Sequence, residues 1–197
     1  MKKIKCVIFD IAGVLVKESI DPVYDRLNKR IGKNVFFRKS ILHSRLLTGK
    51  ISERDYYRIL SSKCGVDANT LKHMEITDCK KKMVNNKSLL LLSKTLRKNG
   101  YKTGILSNIS PSHKRMKKSV MKGFNPVVLS CDVGMEKPQK KIFLLTLKKA
   151  NVKPDECVYI EDRKEFVNAA RSVGINAIHF RNARQCKTEL RKLGVKI

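Results

Sequence analysis

The sequence is short of acid. Against 44 Lys and Arg it carries 17 Asp and Glu, a formal charge of +27 over 197 residues. From Cys79 to Cys131 there is no acidic residue, while 13 Lys or Arg fall in that stretch. Such a surface attracts phosphate groups, on nucleic acid or on a small substrate; a solvated face of a generally basic protein has the same composition. Only Tyr101 and Phe124 fall among these lysines, without the regular aromatic interleaving of a single-strand binding groove, so nucleic acid is the less favoured partner. The excess is even along the chain, with 23 basic and 9 acidic residues in 1–100 and 21 and 8 in 101–197. This excludes a detachable basic tail. No apolar run approaches the ~18 residues a membrane span needs. The start, MKKIKCVIFDIAGVLV, has the basic-then-apolar order of a signal peptide. Asp10 interrupts it, however, and no small-x-small cleavage site follows. None of the six cysteines forms a Cys-x-x-Cys pair, which argues against zinc and for reduced thiols in a cytoplasmic protein. Internal repeats and low-complexity segments are absent too. With 42% hydrophobic residues, the chain suits one sizeable α/β core plus a small insertion.

The stretch Lys5–Leu15, KCVIFDIAGVL, organises what is present. Cys6, Val7, Ile8 and Phe9 form the unbroken apolar run of a buried parallel strand. Asp10 ends it, where open α/β sheets place their ligands. Gly13 permits the sharp turn such a site needs.

Residues 17–86 read as helical throughout. Asp21-Pro22 suits a cap and first-turn proline, and Val23, Leu27 and Ile31 recur every four residues. A second helix carries Phe36, Ile41, Leu42 and Leu46 and ends near Gly49. Ser52 with Asp55 makes a near capping box before Tyr56, Ile59 and Leu60. A fourth helix is expected from about Asp67 to Met83. Some 70 residues are too many for one crossover helix, so this block reads as an inserted helical cap. The core is then 1–16 with 87–197, and the cap 17–86.

From Ser88 strands and helices alternate. Strands are predicted at Tyr101–Leu106, Val127–Ser130, Cys157–Ile160 and Ala177–Phe180. Helices are predicted before Asn99-Gly100, after Pro111, over Gln139–Ala150, up to Gly174 and up to Leu193. The alternation implies a doubly wound, mostly parallel α/β sheet.

Polar groups collect at the strand ends: Asp10, Ser107-Asn108, Lys137 and Glu161-Asp162. A parallel sheet brings such ends to one crevice, and together they form a phosphoryl-transfer set. Asp10 can be the nucleophile and form an aspartyl-phosphate. Asp10 and Asp162, with Glu161 beside them, can hold Mg²⁺. Ser107 and Asn108 can donate to phosphoryl oxygens, and Lys137 can offset the charge of the carboxylates and the transferred group.

With those residues placed, the chain resembles the haloacid dehalogenase (HAD) superfamily over nearly its whole length. The four motif segments are FDIAGVL, ILSNIS, KPQKKIF and YIEDRKEFVNAARSVG, the last including Asn168 and Ala169-Ala170. The helical insert directly after the first motif matches the family's first class of cap. LLTGKISERDYY resembles the cap segment of glucose-1-phosphatase-type enzymes and of the phosphatase half of soluble epoxide hydrolase. The resemblance implies a cap that closes over the site and selects the substrate, a small phosphorylated compound.

One position departs from the family pattern. Its phosphatases carry a second Asp two residues after the nucleophile, as general acid and base; here that residue is Ala12. A general acid or base contributes about 10²–10⁴ in rate. The family's metal contact at this position is the backbone carbonyl, which Ala12 retains. Three readings follow. One is a slow or specialised phosphatase, with Glu18 or His43 of the cap as substitute base. Another is a phosphonoacetaldehyde-hydrolase-like enzyme, whose branch also reads Asp-x-Ala-Gly and would use Lys50 as a Schiff base. The last is a non-catalytic protein that binds a phosphate-bearing partner, such as nucleic acid, through its basic surface.

Overall fold

The computed structural model describes residues 3–17, 20–36 and 40–197. Five parallel strands form one sheet in the order β3-β2-β1-β4-β5. They are β1 (Cys6–Phe9), β2 (Lys102–Ser107), β3 (Val127–Leu129), β4 (Cys157–Glu161) and β5 (Asn176–His179). β1 lies between β2 and β4, with Phe9 level with Ile105 on one side and Ile160 on the other. The order reverses beside β1, so a crevice opens at its C-terminal end.

Every residue of β1 is buried, because both faces of the sheet are covered. Successive side chains point to opposite faces. Val7 and Phe9 pack with Leu89, Leu92 and Leu96 of α5 (Lys87–Lys98) and Leu190 of α10 (Ala183–Lys192). Cys6 and Ile8 pack with Ile142, Phe143 and Leu147 of α8 (Lys140–Ala150) and Val167 and Ala170 of α9 (Lys164–Arg171). Edge strand β5 is blunted by side chains: Arg171 Nη2 donates to Ala177 O at 2.8 Å and Gln185 Nε2 to His179 O at 3.2 Å.

Four helices lie between β1 and α5: α1 (Ile20–Ile31), α2 (Ile41–Leu47), α3 (Glu53–Cys64) and α4 (Ala68–Lys82). Helix α1 starts at Ile20, so Asp21 and Pro22 fall inside its first turn rather than at its cap. Proline is tolerated there because first-turn N–H groups have no intrahelical acceptor. Phe36 precedes α2 instead of joining it. The other starts are capped: Ser40 accepts from His43 N, Ser52 from Asp55 N and Asp67 from Thr70 N. The block has its own apolar cluster, built on Val23, Tyr24, Leu27, Tyr56, Leu60 and Leu71. The chain enters and leaves it through paired backbone: Lys17 N donates to Val84 O and Asn86 N to Leu15 O, each at 2.8 Å.

The block also touches the sheet domain away from this neck. Glu53 accepts from Ser112 N at 2.5 Å and from Arg115 at 2.8 Å, both on α6 (Pro111–Met116). Cys79 Sγ lies 3.2 Å from His113 Nε2. Ser44 bonds Glu136, and Gly49 sits so close to the Cys131 carbonyl that a Cβ would stand 2.9 Å from it.

Candidate active site

Asp10 is buried at the end of β1, held from behind by its N–H to Ile160 O at 3.0 Å. Beyond it the chain turns sharply. Gly13 N donates to Val16 O, and Val16 N to Ile11 O. Gly13 has φ +81°, and a Cβ there would stand 2.0 Å from Asp162 Oδ2. Glycine is therefore required twice, by the backbone angle and by the carboxylate beside it. Ala12 lies within this turn, and its methyl group brings no acid or base to the site.

Strand β4 ends in Glu161, and Asp162 follows it. One oxygen from each of Asp10, Glu161 and Asp162 lies within 4.8 Å of the others. Lys137 is the ammonium among them. Its Nζ is 2.7 Å from Glu161 Oε2 and 3.1 Å from Asp10 Oδ1, and all three side chains are nearly inaccessible. Asn108 fixes this lysine's backbone at both ends, donating to Lys137 O at 2.9 Å and accepting from Lys137 N at 2.8 Å. The amide of Asn108 is thus committed to the loop that carries Lys137. Ser107 is buried at the end of β2, where its hydroxyl lowers the Asp10 carboxyl.

The protonation pattern follows from crowding. Burial pushes the Asp10 carboxyl up, and Glu161 adds to this; Lys137, Ser107 and the Ile11 N–H oppose it. Burial raises Glu161 as well, but Lys137 and the hydrogen bonds from Asp162, Lys137 and Tyr159 outweigh it, so Glu161 stays below its ordinary value. Lys137 loses stability as a cation by burial, yet Asp10 and Glu161 hold it above its ordinary value. Asp162 is pushed up to about 8, by burial first and then by its bond to Glu161 and the charges of Asp10 and Glu161.

Three acidic groups stand around one ammonium, which contacts two of them, and the buried Asp10 Oδ1 has no well-aligned hydrogen bond despite Lys137 at 3.1 Å. A second cation bound by oxygen ligands would fit both facts.

Tyr159, inside β4, belongs to the cluster although its sequence context showed only an apolar strand. Its hydroxyl donates to Glu161 Oε2 at 2.6 Å and accepts from Lys137 Nζ at 2.9 Å. The available signal was its position two residues before Glu161, which puts both on one face of the strand.

Two further candidates belong to the helical block. Lys50 is exposed in the turn after α2, which gives Schiff-base chemistry no buried setting. His43 is buried in the helical block, its Nδ1 3.2 Å from Tyr24 OH and its ring against Tyr24 and Tyr56. That placement puts it in the block's core. Glu18 lies outside the described residues.

The fold and this strand-end carboxylate cluster define the class: a doubly wound α/β protein with an acid–lysine site at its switch point. The haloacid dehalogenase-like hydrolase family model matches residues 4–174, and the chain belongs to that family. It is 26% identical over 215 residues to "Bifunctional epoxide hydrolase 2" of Sus scrofa, covering 96% of this chain and 39% of that protein. Several further curated relatives are also spanned over less than half their length. It is 27% identical over 197 residues to "Phosphorylated carbohydrates phosphatase" of Thermotoga maritima, covering 89% and 84%. A HAD family enzyme of Bacteroides thetaiotaomicron, crystallised as an aspartate-to-alanine mutant with magnesium and inorganic phosphate, shares the fold. Its TM-score is 0.77 at 20% identity, over 90% of this chain and 94% of that one.

Proposed function

We propose that this protein is a magnesium-dependent phosphatase acting on a small phosphorylated metabolite through an aspartyl-phosphate on Asp10. The observation that carries the reading is the convergence of Asp10, Ser107, Lys137 and Asp162 at one end of the sheet. The relatives named for phosphatase activity and the neighbour with magnesium and phosphate support it.

In this reading a carboxylate oxygen of Asp10 attacks phosphorus, and the bond from phosphorus to the ester oxygen breaks. Ser107 donates to a phosphoryl oxygen, and Lys137 offsets its negative charge. Water then attacks the same phosphorus, which releases phosphate and restores the carboxylate. Asp10, Asp162 and the Ala12 carbonyl would hold the metal, with Glu161 beside them. A Mg²⁺ held there would supply positive charge against the carboxylates and the phosphoryl group. Helices α1–α4 serve as the cap that excludes water and selects the substrate.

Ala12 sets the rate. No carboxyl stands there to protonate the leaving group or activate water, so an aryl ester, whose leaving group departs unprotonated, should react better than an alkyl ester. The test is hydrolysis of p-nitrophenyl phosphate with and without Mg²⁺, beside Asp10→Asn and Ala12→Asp. Magnesium-dependent turnover should vanish in Asp10→Asn and rise in Ala12→Asp, by up to the ~10²–10⁴ a general acid–base contributes. Turnover that persists unchanged in Asp10→Asn would refute the reading.

A further inference from the structure

Lys137 Nζ is held by oxygen atoms. Glu161 Oε2, Tyr159 OH and Asp10 Oδ1 stand around its head at 2.7, 2.9 and 3.1 Å. The Phe166 ring flanks it with its centroid at 4.8 Å. Phe166 is itself backed by the Arg163 guanidinium at 4.9 Å from its centroid. We infer that Tyr159 is a positioning residue of this site: its hydroxyl ties Glu161 to Lys137 and so leaves the lysine's third proton free on the side of Asp10, for the group Asp10 carries.

An ammonium has three protons and rotates about its last bond unless acceptors fix it. Glu161 and Tyr159 take two of them, which leaves the third for the side on which Asp10 stands; Asp10 Oδ1, at 3.1 Å, is not itself in line for it. The hydroxyl can accept from lysine and donate to the carboxylate at once, which a phenyl ring cannot do. Its 2.6 Å bond to Glu161 is short, as charge-assisted O–H···O⁻ bonds are. Tyr159 and Glu161 are two residues apart on one strand, so β4 builds the link without help from a loop. A preorganised donor contributes most where charge develops, because nothing needs to reorganise during the reaction.

The inference rests on Asp10 being the phosphoryl acceptor, and binding of a mimic separates the two claims. The probe is trifluoroberyllate, which bonds to a carboxylate oxygen, with Mg²⁺, read by calorimetry and by ¹⁹F NMR. Wild type should bind it and Asp10→Asn should not. Tyr159→Phe should bind it about tenfold more weakly, as expected for losing a charge-assisted contact. The ¹⁹F resonance facing Lys137 should also move. Phe143→Leu is the packing control: the Phe143 ring lies edge-on to Tyr159 at 5.8 Å, and its loss leaves the hydroxyl in place. It should keep wild-type affinity and the wild-type ¹⁹F pattern. Equal affinity and spectrum in Tyr159→Phe would overturn the inference, as would an equal loss in Phe143→Leu. Failure of the wild type itself to bind, or equal binding by Asp10→Asn, would overturn both the acceptor role and the inference built on it.

Discussion

Two clusters in this protein bury acid, and they treat it in opposite ways. At the sheet end, Asp10 and Glu161 share Lys137. At the seam between the helical block and α6, Glu75 of α4 is buried without a lysine or arginine among the described residues. Its Oε2 accepts from Tyr57 OH at 2.9 Å and its Oε1 from Tyr24 OH at 3.4 Å. His113 Nε2 stands 3.5 Å from Oε1, and on its other side Nδ1 meets Ser110 Oγ at 2.8 Å. Burial, with Lys117 and His43 nearby, drives the His113 imidazole down to about 3, so it is neutral at pH 7. Phenols and a neutral ring cannot compensate burial as an ammonium does. Glu75 is accordingly pushed up to about 7 by burial, against the hydrogen bonds of Tyr57 and Tyr24, whereas Glu161 stays low. One cluster keeps Glu161 and Lys137 charged against each other; the other joins two parts of the fold through groups that are close to neutral.

The sharpest break in that comparison is Lys137→Met. It leaves Asp10 and Glu161 buried with no cation, and removing one partner of a buried pair costs about 3–5 kcal/mol. Urea unfolding at pH 7 without metal should show a loss of that order. The loss should shrink as pH falls from 7 toward 4, because the stranded carboxylates then take up protons. An equal loss at both pH values would mean that packing, and not charge, had been removed.

Glu75→Gln tests the other cluster, with a smaller effect of opposite pH sense. The folded value of Glu75 is raised from 4.5 to about 7, so its contribution is fully present below 4.5 and is lost as pH rises through 7. Wild type should therefore lose up to about 3 kcal/mol relative to Glu75→Gln across that window. His113 runs the other way, contributing above 6.5 and losing its contribution as pH falls toward 3. It is present in both proteins, so only its coupling to Glu75, 3.5 Å away, enters the difference. A difference that stays flat with pH would show that Glu75 ionises in the seam without penalty.

The two clusters also differ in how legible they were. The sheet-end site could be read because parallel strands gather their ends: Asp10, Ser107 and Asp162 each close or follow an apolar run, and Lys137 stands before Pro138 ahead of the next helix. The strands could be read because stops such as Asn99-Gly100 separate them from helices. Tyr159 was hidden, since within CVYIE a buried tyrosine looks like one more core residue. The seam was hidden more deeply. Glu75 and His113 are 38 positions apart on helices whose contact depends on how two layers dock. Helix α4 also carries little amphipathic pattern, with Leu71, Glu75 and Cys79 as its buried face. His43 was misplaced for the same reason, because one sequence cannot say which face of a short helix turns toward the sheet and which toward its own block.

The smallest change, Tyr57→Phe, separates the hydrogen bond from the charge at the seam. The hydroxyl reaches Glu75 Oε2 at 2.9 Å, and the ring stays packed edge-on against Tyr56 at 5.2 Å. Only a donor is lost. Above pH 7, where Glu75 is ionised, the loss should be about 1 kcal/mol or somewhat more. Below pH 4.5 it should be smaller, because a protonated carboxyl depends less on an outside donor. Since the Tyr57 bond helps to lower Glu75, its removal should also move the pH window of Glu75 upward. Unfolding measured across pH 4–9 distinguishes the cases. An upward shift of the midpoint means that the phenols carry part of the acid's charge, as Lys137 carries that of Glu161. An unmoved midpoint means that burial alone sets the protonation of Glu75, and that the two clusters differ in kind and not in degree.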